Sequence, residues 1–208
     1  CARDVRGRAY LPGSSLKGAI RTALLRAMIE REKAVIRRED IGPAGGPQQA
    51  KKADDRIEQE WLGDDPNSDL FRAVIVADSA PLPANALSLQ MVQMAPKLDV
   101  DVEAIRVGTQ LTATLKIDAW LLAQHTPDIR WKEERRQLVR NLSQAAMFIA
   151  KRRIAHEYEY HQQGKETLPT NFYAKLANVA TANDWAKNDF LVQVGYATGW
   201  RAKSVLGG

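Results

Sequence analysis

The sequence is almost without cysteine: Cys1 is the only one among 208 residues. One cysteine cannot form an internal disulfide, and it cannot supply the thiolates of a structural zinc site. This usage is typical of a reducing compartment, and we expect a cytoplasmic protein. The sequence also lacks a long apolar run and a signal peptide, so no membrane partner is expected.

Familiar catalytic motifs are absent as well. Gly18 is followed by Ala19-Ile20 instead of the Lys and Ser or Thr of a P-loop, and Lys17 stands where a nucleophile elbow needs glycine. His156 and His161 are five residues apart, whereas the zinc-protease motif places its histidines four apart on one helix face. We therefore predict no catalytic residues, no metal site and no cofactor.

Basic residues exceed acidic ones. The 30 lysines and arginines against 25 aspartates and glutamates give a formal net charge of +5. Such an excess favours a polyanionic partner, of which nucleic acid is the commonest.

The stretch from Tyr10 to Leu25 predicts an amphipathic helix. Pro12-Gly13 is a turn signal, and Ser14 and Ser15 are candidate N-caps. Apolar residues then recur at helical spacing and form one stripe, which comprises Leu16, Ala19, Ile20, Ala23, Leu24, Ala27 and Met28.

The other side of this helix predicts an anion site. Lys17 and Arg21 lie one turn apart, and Gly18 between them lets a ligand approach the backbone. Free N–H groups and the positive end of the helix dipole attract anions, and a nucleic-acid phosphate suits a basic protein. The alternative is a capped helix whose charges are incidental. The candidate RNA-binding residues here are Ser14, Ser15, Lys17, Gly18 and Arg21.

A glycine-rich loop near the C-terminus predicts a second RNA contact. Its two glycines let backbone N–H groups converge on a phosphate, its threonine can donate a hydroxyl, and its cations add charge. Its tryptophan offers a face for base stacking. The alternative is a tight turn with the tryptophan packed on the core. The candidates are Gly195, Thr198, Gly199, Trp200, Arg201 and Lys203.

Two segments carry a family resemblance. PGSSLKGAIR, at residues 12–21, resembles the first-helix signature of the RAMP superfamily, the repeat-associated subunits of type III CRISPR effector complexes. GYATGWRAK, at residues 195–203, resembles the glycine-rich loop of the same superfamily. Within it, the wording is most similar to the subunit that caps the Csm (type III-A) complex.

The resemblance implies an α+β fold that is ferredoxin-like, or RRM-like, with helical insertions. It implies one RAMP domain over 1–208, with an insertion at about 32–68 and a helical segment at about 131–188. Because the chain opens without Met and soon enters a helix, we expect a fragment whose first strand is missing.

The resemblance also implies a function. The chain would be a non-catalytic subunit that binds CRISPR RNA near its 3′ end, caps the complex and supports guide maturation in antiviral defence. Its partners would be CRISPR RNA and sister RAMP backbone subunits, with target RNA and a host maturation nuclease as further ones. One alternative is a backbone-type RAMP endoribonuclease that cleaves guide-bound target RNA, with Asp4 as the nearby candidate. Another is a basic scaffold protein that binds no RNA.

Hydrophobic patterns along the rest of the chain predict further elements. We expect a short helix at 49–62, a long helix at 133–161 and another at 171–188. Strands are expected at 70–77, 87–94 and 190–194, with a hairpin of 103–107 and 110–117. The apolar stripe of the first helix should pack on a sheet that presents Val74, Val76, Leu89, Leu111, Leu115 and Leu191.

Overall fold

A computed structural model of the chain describes residues 1–37, 55–95, 98–124, 129, 131–182 and 184–195. These residues form helices and short two-stranded sheets, which confirms the α+β class. The chain divides into two compact units. The first comprises Cys1–Lys17 and Ile75–Lys116, and the second comprises Gly18–Val74 and Ile117–Gly208. The prediction of one domain over 1–208 with an insertion at 32–68 stays a prediction.

The first unit contains two antiparallel hairpins. Strand β1 (Ala2–Arg3) pairs with β2 (Ala9–Tyr10) just before the first helix, an arrangement that the sequence analysis missed. The longer hairpin joins β4 (Leu87–Ala95) to β5 (Leu98–Ile105). Its base packs on a small apolar cluster, which consists of Ala9, Leu82 and Ala86 with the partly buried Leu87 and Ile105.

The predicted hairpin of 103–107 and 110–117 is wrong. Strand β5 begins at Leu98, before the predicted strand, and pairs antiparallel with the preceding strand β4. The register runs from Leu87 opposite Ile105 to Ala95 opposite Leu98. A short strand, β6 (Leu115–Ile117), pairs instead with β3 (Val74–Val76). Alternation between Leu and Thr at 111–117 resembles a strand with one buried face, but Leu111 and Leu115 are both exposed. Periodicity alone could not identify the pairing partner.

The second unit is mainly helical. Helix α1 (Gly13–Arg31) begins in the first unit and ends in the second, and the second unit also contains α2 (Asp55–Leu62) and α3 (Ala119–Ala123). The predicted long helix is two helices, α4 (Glu133–Arg140) and α5 (Leu142–Gln163), because Asn141 leaves helical geometry with φ −105° and ψ 37°. Helix α6 (Thr167–Thr181) begins four residues earlier than predicted.

The core of the second unit confirms the apolar side of α1. Ile20, Leu24 and Met28 are fully buried, and each buried side chain of this size stabilises the fold by about 1.5–3 kcal/mol. Leu25 is also fully buried, so the middle of α1 is covered on more than the predicted stripe. Other helices and the segment before β3 supply the remaining buried residues, among them Ile57, Trp61, Leu62, Leu70, Phe71, Leu122, Val139 and Ile149.

The sheet predicted to support α1 is wrong in part. Val74 is buried, but the Leu89 side chain is 79% exposed on the long hairpin. Residues 190–194 form no strand, although Leu191 was assigned to one. Residues 70–73 form a 3-10 turn, and only 74–76 are extended. The described strands form three separate two-stranded sheets, so the ferredoxin-like order stays a prediction.

None of the helices in the described ranges is long and apolar enough to cross a membrane.

Candidate nucleic-acid interface

The start of α1 is fixed by an acidic side chain from the segment after β3. The Ser15 N–H donates to the Pro12 carbonyl at 3.1 Å, so the helix begins at Gly13. The Gly13 N–H donates to Asp78 Oδ1 at 2.7 Å. Ser14 and Ser15 therefore lie exposed in the first turn, and the predicted capping by these serines is wrong. The cap comes from a residue distant in sequence, which no local motif could indicate.

Backbone groups also hold this helix start closely. A Cβ built on Gly13 would lie 2.4 Å from the Val76 carbonyl oxygen and 2.8 Å from that of Ala77. Leu11 and Ser79 exchange two hydrogen bonds: the Ser79 N–H donates to the Leu11 carbonyl and the Leu11 N–H donates to Ser79 Oγ, both at 2.9 Å. Glycine is required at position 13 because no side chain fits between these backbones.

Asp78 changes the electrostatics of the predicted anion site. Its carboxylate already occupies the place beside the first N–H of α1, where the helix dipole favours negative charge. The exposed residues of the predicted site are Ser14, Ser15 and Gly18, and Lys17 is half-buried. A Cβ on Gly18 would meet nothing within 4 Å, so the backbone there is open to a ligand. Contact of these residues with RNA stays a prediction.

Arg21 makes ion pairs within the second unit. Its Nη1 donates to Asp69 Oδ2 at 2.7 Å, and its Nη2 donates to Glu58 Oε2 at 2.8 Å. Its guanidinium also lies 5.4 Å from the centre of the Phe71 ring. Burial alone would lower the pKa of Arg21, but the hydrogen bonds that it donates to Asp69 and Glu58 raise this pKa above its usual value. Its charge is offset by two carboxylates, and we infer that the Arg21 side chain chiefly holds α1, α2 and the segment before β3 together.

The predicted C-terminal site lies mostly outside the described residues. Gly195 is exposed and has φ +123°, a backbone conformation that glycine adopts readily. The other candidates of this loop, Thr198, Gly199, Trp200, Arg201 and Lys203, fall beyond residue 195. Their contact with RNA stays a prediction.

Asp4, the candidate of the endoribonuclease alternative, organises the loop between β1 and β2. Its Oδ1 accepts hydrogen bonds from the backbone N–H groups of Arg6 and Arg8, both at 2.9 Å. Its Oδ2 accepts from the Arg8 guanidinium at 2.8 Å. The Arg8 N–H chiefly lowers the pKa of Asp4 below its usual value. A carboxylate that is held in this way is a weak general base, and its contacts are those of a turn residue.

Comparison with known proteins identifies the family. The family model of the RAMP superfamily matches residues 1–176. The chain belongs to the RAMP superfamily. The match covers the first helix, where the resemblance was first noted, and it ends before the glycine-rich loop.

Solved structures agree with the RAMP assignment. A crystal structure of Csm5 from T. onnurineus is 25% identical, with a TM-score of 0.70 over 97% of this chain and 65% of that one. A cryo-EM structure of a Csm–crRNA–target RNA ternary complex from a type III-A CRISPR-Cas system contains a chain that is 24% identical, with a TM-score of 0.67. The similar region covers 97% of this chain and 61% of the chain in that complex. The RAMP chain described here thus spans less than two thirds of either relative. Comparison with curated proteins gave no match.

Two arginines of this RAMP chain are buried, which the sequence analysis did not predict. Arg136 is 1% exposed and donates to the carbonyls of Leu122 and Trp131 at 2.6 and 3.1 Å. Arg135 is also buried, and it donates to Glu32 at 2.8 Å while its guanidinium lies 4.3 Å from the centre of the Trp61 ring. The net charge therefore overstates the cations available to an anionic partner. The sequence did contain a signal for this burial. Arg135 and Arg136 lie four and three residues before the buried Val139, and this spacing places them on the same side of α4.

Proposed function

We propose that this chain is a non-catalytic RNA-binding subunit of a type III CRISPR ribonucleoprotein. In this proposal it caps the complex near the 3′ end of the CRISPR RNA and supports guide maturation in the cytoplasm. Its partners are CRISPR RNA, sister RAMP backbone subunits and, at the capped end, target RNA and a maturation nuclease.

One observation carries the proposal. The likeness to Csm5 extends over 97% of this chain at a TM-score of 0.70. The open backbone at Gly18 and the exposed first turn of α1 support an RNA contact at this helix. The Csm–crRNA–target RNA complex, which contains a similar chain, supports the choice of RNA partner.

The alternative of a backbone-type endoribonuclease depends on Asp4. That carboxylate is bonded to two backbone N–H groups and one guanidinium, so the non-catalytic function is favoured. The scaffold alternative differs by predicting no RNA affinity at all.

Mixing the purified chain with a CRISPR RNA and its complementary target RNA, with and without Mg²⁺, separates the three functions. We expect binding without cleavage. Cleavage would favour the endoribonuclease, and no binding would favour the scaffold.

Reconstitution of the whole complex with an Asp4→Ala chain gives the second test. Because Asp4 stabilises a turn, we expect target-RNA cleavage at the parental rate. Omission of the chain, as the control, should leave CRISPR RNA with longer or ragged 3′ ends. A large loss of cleavage by an intact Asp4→Ala complex would contradict the proposal.

A further inference from the structure

The hairpin of β4 and β5 extends beyond the apolar cluster on which its base packs. Only its base, at Leu87 and Ile105, packs on the apolar cluster of the first unit. Further along β4, the Leu89 and Met91 side chains are 79% and 74% exposed. A two-stranded ribbon is at best marginally stable in water by itself. Two large apolar side chains exposed on the same strand indicate a binding surface.

The strand register places charge beside these apolar residues. Leu89 lies opposite Glu103, and Met91 lies opposite Asp101. Asp99 is two residues from Asp101 and therefore belongs to the same face of the ribbon. One face thus presents an apolar row on β4 and a carboxylate row on β5. We call it the acidic hairpin face.

Positive charge within the two described strands does not offset this row. The sequences of β4 and β5, LSLQMVQMA and LDVDVEAI, contain neither lysine nor arginine. Glu103 pairs with Arg3 and, at 3.4 Å, with the amino group of Cys1. Asp99 and Asp101 have no ion-pair partner in the described part of the chain, and both are exposed. These two carboxylates are therefore available to a partner.

We propose that the acidic hairpin face docks on a protein, namely a sister RAMP subunit whose contacting surface combines cations with an apolar strip. The carboxylates would repel RNA phosphates, whereas lysines and arginines of a protein would pair with them. Leu89 and Met91 would supply the buried centre of the interface and the carboxylates its rim. This inference rests on the proposed function, because that function supplies the sister subunit.

The test measures two affinities for each variant of the full chain: one for a purified sister backbone subunit, the other for CRISPR RNA. The charge variant is Asp99→Lys with Asp101→Lys, and the apolar variant is Leu89→Ser with Met91→Ser. Matched controls alter exposed residues elsewhere, namely Asp64→Lys with Glu159→Lys and Val35→Ser with Val107→Ser.

We expect each hairpin variant to weaken binding to the sister subunit by about tenfold or more, while the controls change it less than about threefold. Affinity for CRISPR RNA should stay equal in the apolar variant. Rising salt should weaken the parental protein complex, because charge pairs contribute to it.

Two outcomes would overturn the inference. If the apolar variant loses RNA affinity and the charge variant gains it strongly, the face binds RNA. If the parental chain binds RNA but no sister subunit, or binds it equally in all variants, the docking surface lies elsewhere. A parental chain that binds neither RNA nor the sister subunit would instead contradict the proposed function itself.

Discussion

Two glycines of one helix have opposite surroundings. Gly13 lies against the Val76 and Ala77 carbonyls, with no room for a methyl group. Gly18, five residues on, has empty space where its side chain would be. Packing explains the first glycine, whereas no contact within the described residues explains the second.

Alanine at each position tests this difference. Gly13→Ala should lower the free energy of unfolding by about 2–4 kcal/mol, because backbone atoms must move to admit the methyl group. Gly18→Ala should raise it by about 0.5–1 kcal/mol, because alanine is the better helix former. Urea unfolding measures both. If Gly18→Ala stabilises the chain and also weakens RNA binding, RNA approaches the backbone at that residue. Equal stability effects at the two positions would contradict the packing described here.

Arg21 and Lys17 give a second matched pair. Arg21→Ala leaves Asp69 and Glu58 without their cation, so we expect a loss of stability of about 1–3 kcal/mol and little change in the salt dependence of RNA binding. Lys17→Ala should change stability by less than about 0.5 kcal/mol and flatten the slope of log K against log salt by about 0.7. Urea unfolding and RNA titrations across a salt series measure these effects. The reverse assignment of the two effects would show that Arg21 is the RNA contact.

At the scale of single residues, the sequence could indicate which side chains suit RNA binding. It could not indicate which of them already bond to other residues of the chain. Arg21 had the right type and spacing, yet Glu58 and Asp69 approach it from 37 and 48 residues away. Asp78 reaches the helix start from a separate segment in the same way. Long-range pairing of this kind leaves no local pattern.

At the scale of elements, charge joins the end of α1 to the start of α4. Glu32 Oε1 accepts from Arg135 Nε at 2.8 Å, and its Oε2 accepts from Lys132 Nζ at 3.0 Å. The hydrogen bond from Arg135 chiefly lowers the pKa of Glu32 below its usual value. A carboxyl whose pKa is depressed in the folded state stabilises the fold above its unfolded pKa of about 4.3. That stabilisation is lost as the pH falls through the lower folded pKa.

Glu32→Gln should therefore reduce the free energy of unfolding at pH 7 and narrow its difference from the parent as the pH falls below about 4. Urea unfolding between pH 3 and pH 7 measures this difference. Glu159→Gln, at an exposed position of α5, is the control and should change stability by less than about 0.5 kcal/mol throughout. A constant difference for Glu32→Gln across this range would refute the ion-pair explanation.

Elements were predictable where one face of a regular segment is buried. Helix α1 was found for that reason. Strand β4 was found from its alternation alone, although Leu89 and Met91 on the predicted apolar face are exposed. The break at Asn141 was missed because Leu138 and Leu142 continue the apolar stripe across it. The start of α6 was missed because a longer loop was expected after α5. Lys165, with φ +57°, lies in a tight turn, so α6 can begin at Thr167.

At the scale of the whole molecule, the proposed RNA contacts differ in kind. Trp200→Ala should weaken RNA binding by about 1–3 kcal/mol, because a stacked base loses its platform. It should leave the salt slope nearly unchanged, since stacking releases few counterions, whereas Lys17→Ala should flatten it. Titration of the assembled complex with RNA over a salt series separates the two. Parental binding by both variants at every salt concentration would place the RNA site elsewhere.

The contacts around Gly13 have a consequence for the order of folding. Asp78 follows Gly13 by 65 residues, and Ser79 follows its partner Leu11, two residues before the helix, by 68. The entropy of closing so long a loop must be overcome before these bonds form, and distant contacts of this kind slow folding. During synthesis the body of α1 can become helical as soon as it leaves the ribosome. Its first turn is completed only after residue 79 has emerged, so the segment that faces the proposed ligand is among the last parts of α1 to become ordered.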